Sequence, residues 1–255
     1  MGWALITGAS SGLGLEFAKL AAADGWNLVI SARREDELRA LADTLPTEVV
    51  VVTADLAEPG AADRLWQAAN DGRSIDLLVN NAGFGVHGRF ATCGDDRERG
   101  SVTVNMVAVT ELMQNALKQF RATGTKGKVL NVASLAGYMP SPNMAIYHAT
   151  KSYVLTLSEA VHYECKRDGI TVTALCPTVV KTNIFRDGRI DDSVTPLMNK
   201  WVSLTGVSAE GVASATSVSG LLSICGGGSS CSMRRVSSWT AWSMSSSIPR
   251  RPFLN

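Results

Sequence analysis

The chain has 255 residues, of which 45% are apolar and 18% charged, with a formal net charge of +1. That is enough chain for one full-sized domain with its own core. The near-neutral charge leaves no electrostatic footprint for nucleic acid or an anionic membrane, and no apolar run is long enough to span a bilayer. The start, Met1-Gly2-Trp3-Ala4-Leu5-Ile6, lacks the basic region and cleavage site of a signal peptide and reads as a first strand. Five scattered cysteines, Cys93, Cys165, Cys176, Cys225 and Cys231, show no CxxC spacing. They fit reduced thiols in a cytoplasmic protein, and no metal site is expected.

In chain order, the periodicity predicts a strand over 3–7, a helix over 12–24 stopped by Gly25, and a strand over 27–31. A charged amphipathic helix over 35–44, a β-branched strand over 48–53, a helix over 57–70 and a strand over 75–80 follow. Then come a long helix over 99–123, a strand over 128–133, a second long helix over 145–167 and a sixth strand over 170–175. Strands that are continuous apolar runs separated by helices indicate a parallel sheet covered on both faces. The expected fold is therefore α/β: a doubly wound, Rossmann-like parallel sheet. Such sheets bind ligands at the carboxyl ends of their strands.

The residues with chemical potential stand at those ends. Thr7-Gly8-Ala9-Ser10-Ser11-Gly12-Leu13-Gly14 closes the first strand and opens the first helix. Glycines there let backbone approach a pyrophosphate, and the helix N-terminus offers free N–H groups to the anion. Ser31-Ala32-Arg33-Arg34 ends the second strand with no acid for a ribose hydroxyl and with two guanidiniums that suit a 2′-phosphate. Arg33 is the expected phosphate contact, with Arg34 less involved. Asp55, in Thr53-Ala54-Asp55-Leu56, can accept from an adenine amine or cap the next helix. Asn80-Asn81-Ala82-Gly83 closes the fourth strand, where small residues leave room for a ribose; a plain turn is the alternative. Tyr147 and Lys151 lie one helical turn apart on one face. An ammonium beside a phenol lowers the phenol pKa, which makes it a usable acid or base. Ser134, just after the fifth strand, can donate to a substrate oxygen, and His148 points elsewhere on the helix and is expected to be structural.

These motifs, in this order, make residues 2–185 closely resemble the short-chain dehydrogenase/reductase family, in particular an NADP-preferring carbonyl- and keto-reductase-like branch. The resemblance implies that Tyr147 protonates a carbonyl oxygen, or takes the hydroxyl proton in reverse. It implies that Lys151 binds the nicotinamide ribose and lowers the Tyr147 pKa, that Ser134 holds the substrate oxygen, and that Asn105 anchors a water linking Lys151 to solvent. The cofactor contacts it implies are Gly8, Ser10, Ser11, Gly12, Leu13, Gly14, Arg33, Asp55, Leu56, Asn81, Ala82, Gly83, Tyr147, Lys151, Pro177, Val180 and Thr182, with Thr182 at the nicotinamide carboxamide. NADP(H) is the expected cofactor, a small carbonyl or alcohol compound the substrate, and a homodimer built from the two long helices the assembly. Two departures stand out: Pro177 is followed by Thr178 where the family has glycine, and no family-like ending follows Gly211.

From Gly211 to Asn255 there is no Asp, Glu or Lys, but there are 13 Ser, four Arg and two of the five Cys. The division read from this is a dinucleotide-binding and catalytic domain over 1–210 and an atypical low-complexity tail over 211–255 that contributes little to the sheet. Such a tail has the composition of out-of-frame translation. The sequence thus leaves two rivals to a reductase: a non-catalytic dinucleotide sensor, and an inactive product with a damaged C-terminus. Intact Ser134, Tyr147 and Lys151 argue against the sensor, which needs no proton donor.

Overall fold

The computed structural model describes residues 2–91 and 96–177, together with the short strands 234–236 and 239–241. Each strand of the main sheet is a short apolar run: β1 (Trp3–Thr7), β2 (Asn27–Ala32), β3 (Val49–Thr53), β4 (Ile75–Asn80), β5 (Lys128–Val132) and β6 (Thr171–Leu175). They form one parallel sheet in the order β3-β2-β1-β4-β5-β6. The order reverses between β1 and β4, so the loops leaving these two strands splay apart and open a crevice. β7 (Arg234–Val236) and β8 (Trp239–Ala241) pair with each other and not with this sheet.

Both faces of the sheet are covered, which is why most of its strands are largely apolar, β6 with its alternating threonines excepted. In β1, Ala4 and Ile6 pack towards α1 (Gly12–Ala23) and α2 (Glu35–Ala42), joining Phe17, Ala18, Ala21 and Leu38. Leu5, between them, faces the opposite layer with Leu65 and Trp66 of α3 (Ala61–Ala69) and Leu112, Ala116 and Phe120 of α5 (Val109–Thr123). The long α6 (Ala145–Cys165) lies on that second layer, with Val154 and Leu155 against Val109, Ala133 and Cys176.

The differences from the sequence expectation have local causes. α3 begins at Ala61 rather than at residue 57, because Pro59 and a left-handed Gly60 (φ 69°) make a turn first. The helix expected over 99–123 starts earlier, with α4 (Asp96–Val102), and passes through a π-helical segment at Thr103–Ala108 before α5. One turn at the end of α6, Lys166–Asp168, tightens to 3₁₀ geometry before Gly169 stops it with φ 72°. The positions Val180 and Thr182, Cys93, Cys225 and Cys231, and most of the atypical tail lie outside the described residues.

Candidate active site

The crevice is built first by backbone. Gly8 has φ 68°, and a Cβ there would stand 2.8 Å from Asn81 Nδ2 and 2.9 Å from Ala82 Cα. At Gly14 a Cβ would come within 2.2 Å of the Gly8 carbonyl oxygen. No side chain larger than hydrogen fits either position, so the loop can fold tightly under the N-terminus of α1. Ser11 is the N-cap of α1, and its side chain makes no cap hydrogen bond. The first-turn N–H groups therefore remain available to an anion. Thr7 sews the switch point shut. Its hydroxyl donates to the Val79 carbonyl (3.3 Å) and accepts from the backbone N–H of Asn81 and of Ala82 (3.0 Å each). The Asn81 amide donates to the carbonyls of Thr7 and Gly8 (2.9 and 3.2 Å).

Beside this loop stands an arginine, and it is Arg34. Its guanidinium donates to Ser10 Oγ (3.1 Å) and Ser11 Oγ (3.3 Å) and pairs with Glu37 (2.8 Å). The less-favoured arginine of the pair thus reaches across the glycine-rich turn, while Arg33 is exposed at the same strand end. Asp55 serves a turn: its Oδ1 accepts from the Ala57 N–H (3.0 Å). It does not cap α3, which starts six residues later, and its neighbour Leu56 is buried against α3.

The second half of the site converges from β4, β5, the π segment and α6. Tyr147 and Lys151 are both buried, one turn apart on α6. Ser134 lies just beyond β5 and is within hydrogen-bonding reach of the Tyr147 hydroxyl. Lys151 Nζ donates to the Val132 carbonyl (2.7 Å) and sits 5.8 Å from the centre of the Tyr147 ring. Asn105 is in the π segment, where the widened turn lets a buried amide reach sideways. It accepts from the Phe84 N–H (3.1 Å) and donates to the Phe84 carbonyl (3.0 Å) and to Thr150 Oγ1 (3.0 Å). A Cβ on Gly83 would meet Asn105 Oδ1 at 2.9 Å and Lys151 Nζ at 3.6 Å, so the two functional groups meet at this glycine. Pro177, after β6, closes the same edge through its carbonyl, which accepts from the Leu135 N–H (2.9 Å).

The electrostatics correct one expectation. Tyr147 is not lowered by Lys151; burial pushes its pKa up to about 12, a rise only partly offset by the Ser134 hydrogen bond. Burial also pushes Lys151 down to about 8. Low dielectric penalises both charged forms, phenolate and ammonium, and this outweighs the attraction between them across the distance seen here. At neutral pH the phenol keeps its proton, which is the form a proton donor needs.

Sequence reasoning missed several members. Thr7 could have been read from its place immediately before the glycine-rich turn, and Thr150 from its place beside Lys151. Ser152 Oγ donates to the Gly137 carbonyl (2.7 Å), and a Cβ on Gly137 would come within 2.9 Å of the Lys151 carbonyl oxygen. The segment carrying Ser134 therefore packs directly on the backbone of α6. His148, expected to be structural, pins the same segment: its Nδ1 lies 2.6 Å from the Met139 carbonyl.

Comparison with known proteins bears on this assembly. The family model described as short chain dehydrogenase matches residues 2–192, three quarters of the chain. The chain belongs to the short-chain dehydrogenase/reductase family. It is 33% identical over 177 residues to the 7beta-hydroxysteroid dehydrogenase of Collinsella aerofaciens, covering 68% of this chain and 66% of that protein. Among solved structures it resembles a short-chain dehydrogenase from Sphingobium yanoikuyae in complex with NADPH (TM-score 0.74, 32% identity, 84% of this chain and 82% of that one). It also resembles a short-chain dehydrogenase/reductase from Burkholderia phymatum in complex with NAD (TM-score 0.76, 27% identity, 84% and 83%). Membership of this oxidoreductase family accounts for the nicotinamide dinucleotide that the glycine cradle and the α1 N-terminus are shaped to hold. Relatives carry either form of it, so the choice between NAD and NADP rests on this chain's own residues.

Proposed function

We propose that this protein is an NADP(H)-dependent carbonyl reductase, converting a ketone or aldehyde to an alcohol or running the reverse. The observation that carries the reading is a buried, protonated Tyr147 within reach of the Ser134 hydroxyl, with Lys151 one turn below. The loop Gly8, Ser10, Ser11, Gly12, Leu13 and Gly14 would hold the pyrophosphate, and Asp55 and Leu56 would flank the adenine. Asn81, Ala82 and Gly83 would pass beneath the ribose, while Pro177, Val180 and Thr182 would border the nicotinamide. When bound, the nicotinamide supplies or accepts the hydride. The chain's part is to place the carbonyl and move the proton: Ser134 and Tyr147 hydrogen-bond the carbonyl oxygen, and Tyr147 Oη donates its proton as charge develops there. Lys151 anchors the ribose and supports the developing phenolate.

The preference for NADP(H) is supported by Ala32 standing where an acid would bind a 2′-hydroxyl and by Arg33 and Arg34 beside the loop. The same reading has the protein in the cytoplasm as a homodimer associating through α4–α5 and α6, with a small-molecule substrate and neither nucleic acid nor membrane as partner. Val107, in the π segment between α4 and α5, and Tyr163, on α6, are exposed apolar side chains. No described helix is long and apolar enough to cross a membrane. A panel of ketones and aldehydes, with consumption of NADPH and NADH followed separately, tests the proposal. Carbonyl-dependent consumption faster with NADPH is expected. No consumption with any carbonyl would refute the catalytic claim, and equal use of both cofactors would refute the preference.

A further inference from the structure

Three buried polar side chains meet where the π segment packs on α6, and their hydrogen bonds have a fixed direction. Ser101 comes from α4, Asn105 from the π segment and Thr150 from α6, and each is buried. Thr150 Oγ1 donates to the Tyr147 carbonyl (2.8 Å), and Ser101 Oγ donates to the Phe84 carbonyl (2.8 Å). A carbonyl has no proton to return, so each hydroxyl uses its single hydrogen there and can only accept elsewhere.

Both hydroxyls accept from the same group, the amide of Asn105. Its Nδ2 lies 3.0 Å from Thr150 Oγ1, 3.3 Å from Ser101 Oγ and 3.0 Å from the Phe84 carbonyl oxygen. Three acceptors thus surround two amide hydrogens, and an amide oxygen turned that way would meet only other acceptors. Burial makes such a reversal costly. Asn105 is therefore held with Oδ1 on the opposite side, where it accepts from the Phe84 N–H (3.1 Å) and borders Gly83 next to Lys151. Thr150 joins the two halves of this knot. Its one hydroxyl links the Asn105 amide to the backbone of Tyr147, and its neighbour in the chain is Lys151.

We infer that Thr150 is a positioning residue for the proton donor. Its hydroxyl fixes the sense of the Asn105 amide and ties it to the start of α6, so that Tyr147, Lys151 and Asn105 keep one mutual geometry. Ser101 supports the amide from the other side. The inference rests on the carbonyl-reductase reading and adds a residue that acts on the reaction without touching substrate. Valine at position 150 has nearly the shape of threonine but no hydroxyl. It leaves the Asn105 amide to Ser101 and Phe84 and cuts the tie to Tyr147, and small misplacements of a catalytic group lower the rate steeply.

The test uses the full chain, NADPH and a ketone that the parent reduces. Thr150→Val should lower kcat about tenfold, with KM for the ketone and the affinity for NADPH within about twofold of the parent. Thr150→Ser keeps the hydroxyl and should recover kcat to within about threefold. Ser101→Ala leaves the tie to Tyr147 intact and should lower kcat by less than Thr150→Val does. Hydrogen exchange of the Asn105 side-chain amide, followed by NMR, reads the knot without turnover: slow in the parent and in Thr150→Ser, and at least about tenfold faster in Thr150→Val. A parental kcat in Thr150→Val, or a serine variant no more active than the valine one, would overturn the inference. So would an unprotected Asn105 amide in the parent itself, a result that does not depend on any variant folding. Faster amide exchange in Thr150→Val, with no carbonyl reduced by any of the proteins, would support the knot and refute the reductase reading instead.

Discussion

Replacing Lys151 with methionine should make the protein more stable and inactive at once. Lys151 is buried, and burial pushes its pKa down from 10.5 to about 8. At pH 7 the folded state therefore holds an ammonium it would prefer to lose, a penalty of about 3 kcal/mol. Methionine has a similar length and no charge. It forfeits the hydrogen bond to the Val132 carbonyl, which costs about 1–2 kcal/mol. The net gain is about 1–2 kcal/mol, which raises Tm by about 3–6 °C for a domain of this size. The pH dependence carries the signature. Because the folded pKa lies below the unfolded one, the unfolded chain binds more protons between about pH 8 and 10.5, and the parent gains stability as pH rises through that window. The advantage of Lys151→Met should therefore shrink above pH 8 and reverse by pH 10.5, where only the lost hydrogen bond remains. Differential scanning calorimetry at pH 7, 8.5 and 10 would follow it. A variant less stable than the parent at pH 7, or a difference that does not change with pH, would refute the reasoning that burial governs Lys151.

Three further outcomes follow from the same geometry. Ala32→Asp combined with Arg34→Ala should shift preference from NADPH towards NADH, by placing an acid at the ribose and removing the guanidinium at Ser10 and Ser11; titration of each cofactor by fluorescence reads the two affinities, and an unchanged ratio would argue against the assignment. Gly14→Ala should abolish dinucleotide binding and lower Tm, because its Cβ would fall 2.2 Å from the Gly8 carbonyl oxygen; near-parental affinity would mean the loop is not the pyrophosphate cradle. Sedimentation equilibrium at micromolar concentration should give a dimer mass that falls to a monomer in Val107→Asp/Tyr163→Asp, and a parent that sediments as a monomer would remove the proposed helix interface.

Much of the architecture was legible because burial on both faces leaves a strong sequence signature. β1 and β4, buried at nearly every position, match their expected limits to the residue. Helix starts were less legible, since the turn at Pro59-Gly60 competes with a helical pattern that continues through Ala57. The π segment around Asn105 left no sequence signal, because its extra residue per turn is fixed by tertiary contacts with Phe84 and Thr150. The spacing of Tyr147 and Lys151 placed them on one face, but not the sign of the Tyr147 shift. That sign depends on how deeply both groups are buried, and spacing does not encode depth. The direction of the two arginine side chains at the end of β2 is likewise not encoded in spacing: Arg34 reaches serines 23 and 24 residues away, while Arg33 is exposed at the same strand end.

The central claim is that Tyr147 is the proton donor of a carbonyl reduction, and Tyr147→Phe tests it most directly. Phenylalanine keeps the buried ring and removes only the hydroxyl. With NADPH saturating and a ketone that the parent reduces, the variant should bind NADPH with unchanged affinity while kcat falls at least about a hundredfold, within the range a positioned acid contributes. A variant that binds NADPH normally and retains more than about a tenth of the parent kcat, a loss under about 1.4 kcal/mol, would contradict the account.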